Sequence, residues 1–214
     1  MGSWLDEKIP KVDLFDCKDG DWRLEKFTIS KNEASRYNFG LMFNGQGARG
    51  VEPGTYTRLL CKGRGLVMSD TPAERRDHLP LVDKAKDLEA KKVLVMGLGI
   101  GMVAGALLRK GFPVEEVTFL ERERSVIKLT WPQLKARYGG RVRLIKADAL
   151  EYKPAKGERY DVIWHDIWDN ICLDNAKEMT KLKRRWARRC LWQGAWGDPE
   201  VQRMKRESLR GHGW

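Results

Sequence analysis

The stretch Lys92-Val93-Leu94-Val95-Met96-Gly97-Leu98-Gly99-Ile100-Gly101 decides the fold. Four apolar residues precede three glycines at alternate positions, and the run Met102 to Lys110 that follows has helical character. This spells a buried strand, a tight turn and a helix. Working outward, Val117-Thr118-Phe119-Leu120 reads as a second strand, with a helical stretch from Arg124 behind it. Pro132 should kink or restart that helix, since proline removes an amide hydrogen and crowds the preceding turn. Val142 to Ile145 and Tyr160 to Trp164 complete four strands. Strands alternating with helices signify a parallel sheet covered on both faces.

Upstream, Trp22 to Ile29 and Tyr56 to Cys61 alternate apolar and polar residues between turn signals at Asn44-Gly45 and Pro53-Gly54. That pattern predicts a small β-rich appendage over residues 1–70. Thr71-Pro72-Ala73-Glu74 carries a cap, a proline at the first helical position and a glutamate three residues after the cap, so a helix should begin there. Pro80 should end or kink it, and a second helical stretch to about Leu88 should place Leu81, Val82, Ala85 and Leu88 on one buried stripe. A core domain over 71–175 follows, and a helical tail over 176–214 is expected to pack on it. No strand is expected after the fourth, so a sheet edge must be covered by the N-terminal strands or by a second subunit, which points to a homo-oligomer.

The chain has 214 residues, 41 Lys plus Arg and 30 Asp plus Glu, for a net charge of +11. Residues 176–214 hold eleven of the basic and four of the acidic residues, hence +7 of that excess. A solvated helix face is the simpler account of such a run, and a nucleic-acid surface the sharper one. Six of nine tryptophans lie from Trp164 onward, interleaved with Lys and Arg around Trp186, Trp192 and Trp196. They could stack on single strands, but Trp186 falls on the apolar stripe of its helix and core packing is preferred. No apolar run approaches a membrane span. Cys17, Cys61, Cys172 and Cys190 form no CxxC pair, so neither a zinc knuckle nor structural disulfides are expected and a cytoplasmic setting is favoured.

Three chemical features fall at successive strand ends, where open α/β sheets bind ligands. Gly97, Gly99 and Gly101 let the backbone approach a ligand closely, although a tight turn alone also needs them. Glu121, 24 positions after Gly97, can accept from two ribose hydroxyls. Asp148 in Lys146-Ala147-Asp148-Ala149 can accept from an adenine amino group, or can serve as a helix cap. At the fourth end, Asp166 and Asp169 are three residues apart and share one side if the chain turns helically there. Such a pair can hold a cationic amine and take its proton. Beside them, His165 reads as a packed or supporting residue and not a base, Trp164 as part of a buried strand, and Trp168 as a wall of the substrate pocket or a π-face contact for a cation.

These residues resemble the class I S-adenosylmethionine-dependent methyltransferase superfamily, and within it the spermidine-synthase-like branch, over about Leu66 to Asn175. The fold implied is Rossmann-like α/β. Val93 to Gly101 looks like the branch's glycine motif, including the lack of an acid at Val95. Glu121 matches its ribose-binding acid, Asp148-Ala149 its adenine-contacting step, and Asp166 and Asp169 its two aspartates, the first a general base. The stretch His165 to Cys172 through Asp174-Asn175 is also similar to phage and bacterial relatives of that branch. The resemblance implies S-adenosylmethionine or its decarboxylated form as cofactor, with no metal. It implies binding by Gly97, Leu98, Gly99, Gly101, Glu121, Arg122, Asp148, Ala149 and Asp166, and a small amine or other polar acceptor at Asp166 and Asp169. Two departures weigh against aminopropyl transfer: Ile100 stands where the branch has an amino-group-binding aspartate, and Asp169-Asn170 replaces its Asp-Pro step. Methyl transfer is the favoured reaction, aminopropyl transfer the first alternative, and a non-catalytic nucleic-acid-binding module the second.

Overall fold

In the computed structural model, residues 4–43 and 49–211 are described. The chain forms two sheets. The first is antiparallel, with strands β1 (Cys17–Asp19), β2 (Trp22–Ile29), β3 (Gly54–Cys61) and β4 (Gly65–Ser69) in that order. Helix α1 (Trp4–Lys8) precedes it, and α2 (Lys31–Phe43) joins β2 to β3. The β-rich character of this region is as expected. The turn expected at Asn44-Gly45 lies outside the described residues. The sequence reading contains no α2, yet Ser30 and Glu33 form a reciprocal capping box at its start, with Ser30 N–H donating to Glu33 at 2.8 Å and Glu33 N–H to Ser30 Oγ at 3.3 Å.

Two short helices, α3 (Pro72–Asp77) and α4 (Leu79–Asp87), link the sheets, and Pro80 sits in the first turn of α4. Glu74 reaches back past Thr71, accepting from Ser69 N–H at 2.7 Å and Ser69 Oγ at 2.7 Å. The second sheet is wholly parallel, with β5 (Lys92–Met96), β6 (Glu116–Glu121), β7 (Val142–Lys146), β8 (Val162–His165) and β9 (Trp192–Ala195) in the order β7-β6-β5-β8-β9. This is the doubly wound Rossmann-like arrangement anticipated from the strand–helix alternation. Helix α5 (Met102–Leu107) follows β5, α6 (Arg124–Tyr138) follows β6, α7 (Asn175–Trp186) follows β8 and α8 (Asp198–Gly211) closes the chain. Helix α6 remains one helix through Pro132.

The expectation that the sheet stops after its fourth strand is corrected by β9, which pairs in parallel with β8 from Val162↔Trp192 to His165↔Ala195. Its four residues carry a glycine and no alternation, so a period-based reading passes over it. Gly194 is there for packing: a Cβ would lie 2.4 Å from the Trp192 ring and 2.7 Å from the Trp164 ring. The N-terminal strands do not cover an edge of the parallel sheet either, because they form a sheet of their own. They share its core instead, with Trp22, Leu24 and Leu59 buried in one cluster with Val95, Ile100 and Leu134. Strands β5 and β8 are buried on both faces, and Met179, Leu182 and Trp186 of α7 cover the far side. No helix among the described residues is long and apolar enough to cross a membrane.

Candidate active site

The strand order reverses between β5 and β8, and in sheets of this type the crevice at that reversal, beyond the carboxyl ends of the strands, is the ligand site. A cavity of about 570 Å³ opens there. Gly97 follows β5 with φ 103°, and its N–H donates to Leu120 O at 2.8 Å. Asp166 N–H donates to Met96 O at 2.8 Å, which brings the chain after β8 onto the glycine turn. A Cβ on Gly97 would sit 1.9 Å from Asp166 O. Gly101 has φ 65°, and a Cβ there would meet the Leu134 side chain at 2.3 Å. These two glycines are therefore required by the protein's own packing, apart from any ligand.

Of the residues expected to bind the cofactor, Gly97, Gly99, Glu121, Arg122, Asp148, Ala149 and Asp166 line this cavity, as does Asp169. Leu98 and Gly101 are not on its wall. Leu98 is buried and contributes through its backbone, donating N–H to Glu121 Oε2 at 2.9 Å. Glu121 Oε1 accepts from Arg122 N–H at 2.8 Å and Glu123 N–H at 2.7 Å. Three of the roughly four lone-pair sites of that carboxylate are thus taken, leaving Oε2 one for a hydroxyl. Asp148 accepts from Leu150 N–H at 2.8 Å and from the Arg122 guanidinium at 2.8 Å. Burial works to raise the Asp148 carboxyl, but those bonds outweigh it and hold it below its ordinary value.

The far end of the cavity is different in kind. The Asp166 side chain is 18% exposed. Burial, with Glu74, Asp77 and Glu121 nearby, pushes its pKa up to about 8, so at pH 7 it is mostly protonated. His78, at the α3–α4 junction, is 2% exposed, and burial lowers its pKa to about 4. Its Nε2 lies 3.8 Å from Asp166 Oδ2. Burial also raises Glu74. Asp169 is half exposed and bound to Arg64 of the β3–β4 turn at 3.2 Å. The two aspartates therefore face one cavity in unlike settings.

The sequence reading does not place at the site Glu74, His78 or the roof that the N-terminal sheet supplies through Trp22, Leu66 and Met68. Their signal is tertiary, since α3 and β4 reach the site only after the two sheets share a core. Met68 Sδ comes within 2.4 Å of where a Gly99 Cβ would lie, so the roof rests on the glycine turn. His165 is fully buried off the cavity, with Nε2 2.9 Å from Gln193 Oε1. Trp164 and Trp186 are core residues. Trp168 lines the cavity and donates to Glu178 at 2.6 Å. Ile100 is fully buried. Among the described residues, no group of three or more His, Cys, Asp or Glu is arranged to hold a metal ion.

No protein-family model matches this sequence, and no curated protein does. Solved structures resemble this one over part of its length, at low identity. A provisionally assigned methyltransferase, yhhF, from Escherichia coli is 17% identical over 57% of this chain and 66% of that one, with a TM-score of 0.43. A provisionally assigned RNA methyltransferase from Pyrococcus horikoshii is 19% identical over 66% of this chain and 69% of that one, TM-score 0.44. A Podospora anserina methyltransferase, with S-adenosylhomocysteine bound, is 22% identical over 52% and 47%, TM-score 0.39. The chain spans about half to two thirds of the length of these structures.

Proposed function

We propose that the chain is an S-adenosylmethionine-binding transferase, most simply a methyltransferase acting on a small amine or other polar acceptor. The observation that carries this reading is the convergence of Gly97, Glu121, Asp148 and Asp166, from the ends of four parallel strands, on one cavity. The cavity has the size of a small-ligand site. Its donor set suits an adenosine: Oε2 of Glu121 has room for a ribose hydroxyl, and each Asp148 oxygen retains a lone pair for an amino group. The deep end, lined by Asp166 and Glu74, suits a sulfonium cation.

When bound, S-adenosylmethionine would supply an electrophilic carbon on positively charged sulfur. Asp166 would take the proton lost by the acceptor nitrogen or oxygen as that atom forms its bond to carbon and the carbon–sulfur bond breaks, its electron pair leaving with the sulfur as a neutral thioether. A base with a pKa near 8 is well matched to this task. Transfer at subsaturating S-adenosylmethionine should therefore accelerate as pH rises toward 8, as Asp166 of the free protein ionises. Methyl transfer is preferred over aminopropyl transfer because position 100 offers a buried isoleucine, and no carboxylate, for a cofactor amino group.

Calorimetry with S-adenosylmethionine, S-adenosylhomocysteine and methylthioadenosine tests the reading, and no heat with any of them would reject it. Product analysis with putrescine separates the two transfers, because methylthioadenosine is released only when the aminopropyl group leaves. One observation favours a nucleic-acid contact as well: Lys177, Lys181, Arg184 and Arg188 form one exposed stripe along α7 and the turn after it. A mobility shift with RNA or DNA that weakens steeply with salt would support that role.

A further inference from the structure

Of the two described histidines, only His78 lines the cavity. It ends α3 and begins α4, and its backbone is bonded on both sides, N–H to Arg75 O at 3.2 Å and O from Val82 N–H at 3.3 Å. Its backbone is therefore held by two helices, and its ring meets the Trp164 ring edge-on at 6.0 Å. Nδ1 is sealed from solvent and has no hydrogen-bond partner. Nε2 faces Asp166 Oδ2 at 3.8 Å.

A neutral imidazole carries one N–H. On Nδ1 that hydrogen would be a buried donor without an acceptor, the costlier arrangement. On Nε2 it points to a carboxyl oxygen. The gap is longer than a formed hydrogen bond, and contacts of this kind close when ligand fills a site. The other charged groups bearing on Asp166 are Glu74 and Asp77 from α3 and Glu121 from β6, all carboxylates that oppose its ionisation.

We propose that His78 is a positioning residue for Asp166: its Nε2–H takes hold of Oδ2 and leaves Oδ1 to the sulfonium and the acceptor. This rests on the transferase reading for its ligand, but not for its tautomer. The arrangement makes cofactor and product distinguishable. The sulfonium favours the ionised carboxyl, so its binding expels a proton from Asp166, whereas the neutral thioether of S-adenosylhomocysteine does not.

Nitrogen NMR of the ligand-free protein should show His78 as the Nε2–H tautomer. Calorimetry at pH 7 in two buffers of different ionisation heat should show close to one proton released with S-adenosylmethionine and none with S-adenosylhomocysteine. His78→Gln, whose amide N–H can reach the same place, should keep the affinity ratio of the two ligands within about threefold, while His78→Phe should lower it about tenfold. Should His78→Phe fail to fold, His78→Asn, whose amide is too short, replaces it. An Nδ1–H tautomer, or an unchanged ratio in the variant lacking the donor, overturns the proposal. Failure of both ligands to bind rejects the transferase reading instead, and the tautomer then decides the His78–Asp166 pairing by itself.

Discussion

The two ends of the cavity are built from the same residue types and behave in opposite ways. At the end assigned to adenosine, Glu121 and Asp148 stand on strand termini, and all five hydrogen bonds described for them come from the backbone of neighbouring turns or from Arg122. Those bonds hold both carboxylates in place, and at Asp148 they favour the ionised form. At the other end, Asp166 follows β8 while Glu74 and His78 come from α3 and its C-terminal end; all three are largely withdrawn from water, and burial pushes each toward its neutral form. One end can grip by fixed charge, and the other can exchange a proton.

The two ends meet at Gly97, and the largest effect is expected there. Gly97→Ala combines a φ of 103° with a Cβ placed 1.9 Å from Asp166 O. Neither backbone can retreat without breaking the β5–β8 pairing, so a loss of more than about 4 kcal/mol is expected, read as an unfolded or strongly destabilised protein by calorimetry. A stable Gly97→Ala variant would show that the turn and the Asp166 segment are not in contact.

Asp166→Asn should act in the opposite direction on stability. Its folded pKa of about 8 lies above its ordinary value of 3.8, so the fold binds that proton more tightly than the unfolded chain does. The associated stability is complete below pH 4 and is lost as pH rises through 8. Asparagine removes the penalty: at pH 9 the variant should be more stable by about 2–5 kcal/mol, with little difference at pH 4. Transfer activity should fall at every pH. His78 adds the mirror effect, because its depressed pKa of about 4 gives stability that is present above 6.5 and lost as pH falls toward 4. Thermal melts from pH 4 to 9 check both slopes.

The difference between the two ends also explains what the sequence could reveal. The glycine turn and Glu121 were legible because each depends on its own strand: an apolar run, then the residue that the strand's end requires. Asp148 was legible for the same reason. His78 was not, because nothing near Arg76-Asp77-His78-Leu79 signals that position 166 lies across from it. Strand β9 was hidden by its shortness and by Gly194, whose presence is a demand of two tryptophan rings. The capping box at Ser30 and Glu33 was there to be read, but α2, with Gly40 inside it, lacks an apolar stripe to go with it. Local periodicity reports strands and turns, whereas a buried proton-exchanging group is defined by what folds against it.

Glu121→Gln tests the gripping end. An amide keeps one acceptor oxygen but turns the other position into a donor, facing the N–H groups of Leu98 or of Arg122 and Glu123. Losing charge-assisted bonds of this kind costs about 1.5–3 kcal/mol, so binding of S-adenosylhomocysteine should weaken about tenfold or more, without the pH signature of Asp166→Asn. A pH-dependent loss would mean that the two ends are not separate in function.

The smallest effect belongs to Asp169, although it stands only three residues from Asp166. Its partner Arg64 comes from the N-terminal sheet, at 3.2 Å, and both side chains are 50% exposed. Exposed pairs of this type contribute about 0.2–1 kcal/mol and are screened by salt. Asp169→Ala should therefore lower the melting temperature by no more than about 4 °C, and by less in 1 M salt. Arg64 also lies 5.6 Å from the Trp22 ring centroid, so removing Asp169 need not release it from the cavity's roof. If Asp169→Ala instead matches Asp166→Asn in its loss of transfer while leaving the melt unchanged, the acceptor is held by both aspartates and displaces Arg64 to reach the second. The site would then be a cation clamp at its mouth as well as a base in its depth, and the contrast between the two ends would have to be redrawn with Asp169 on the reacting side.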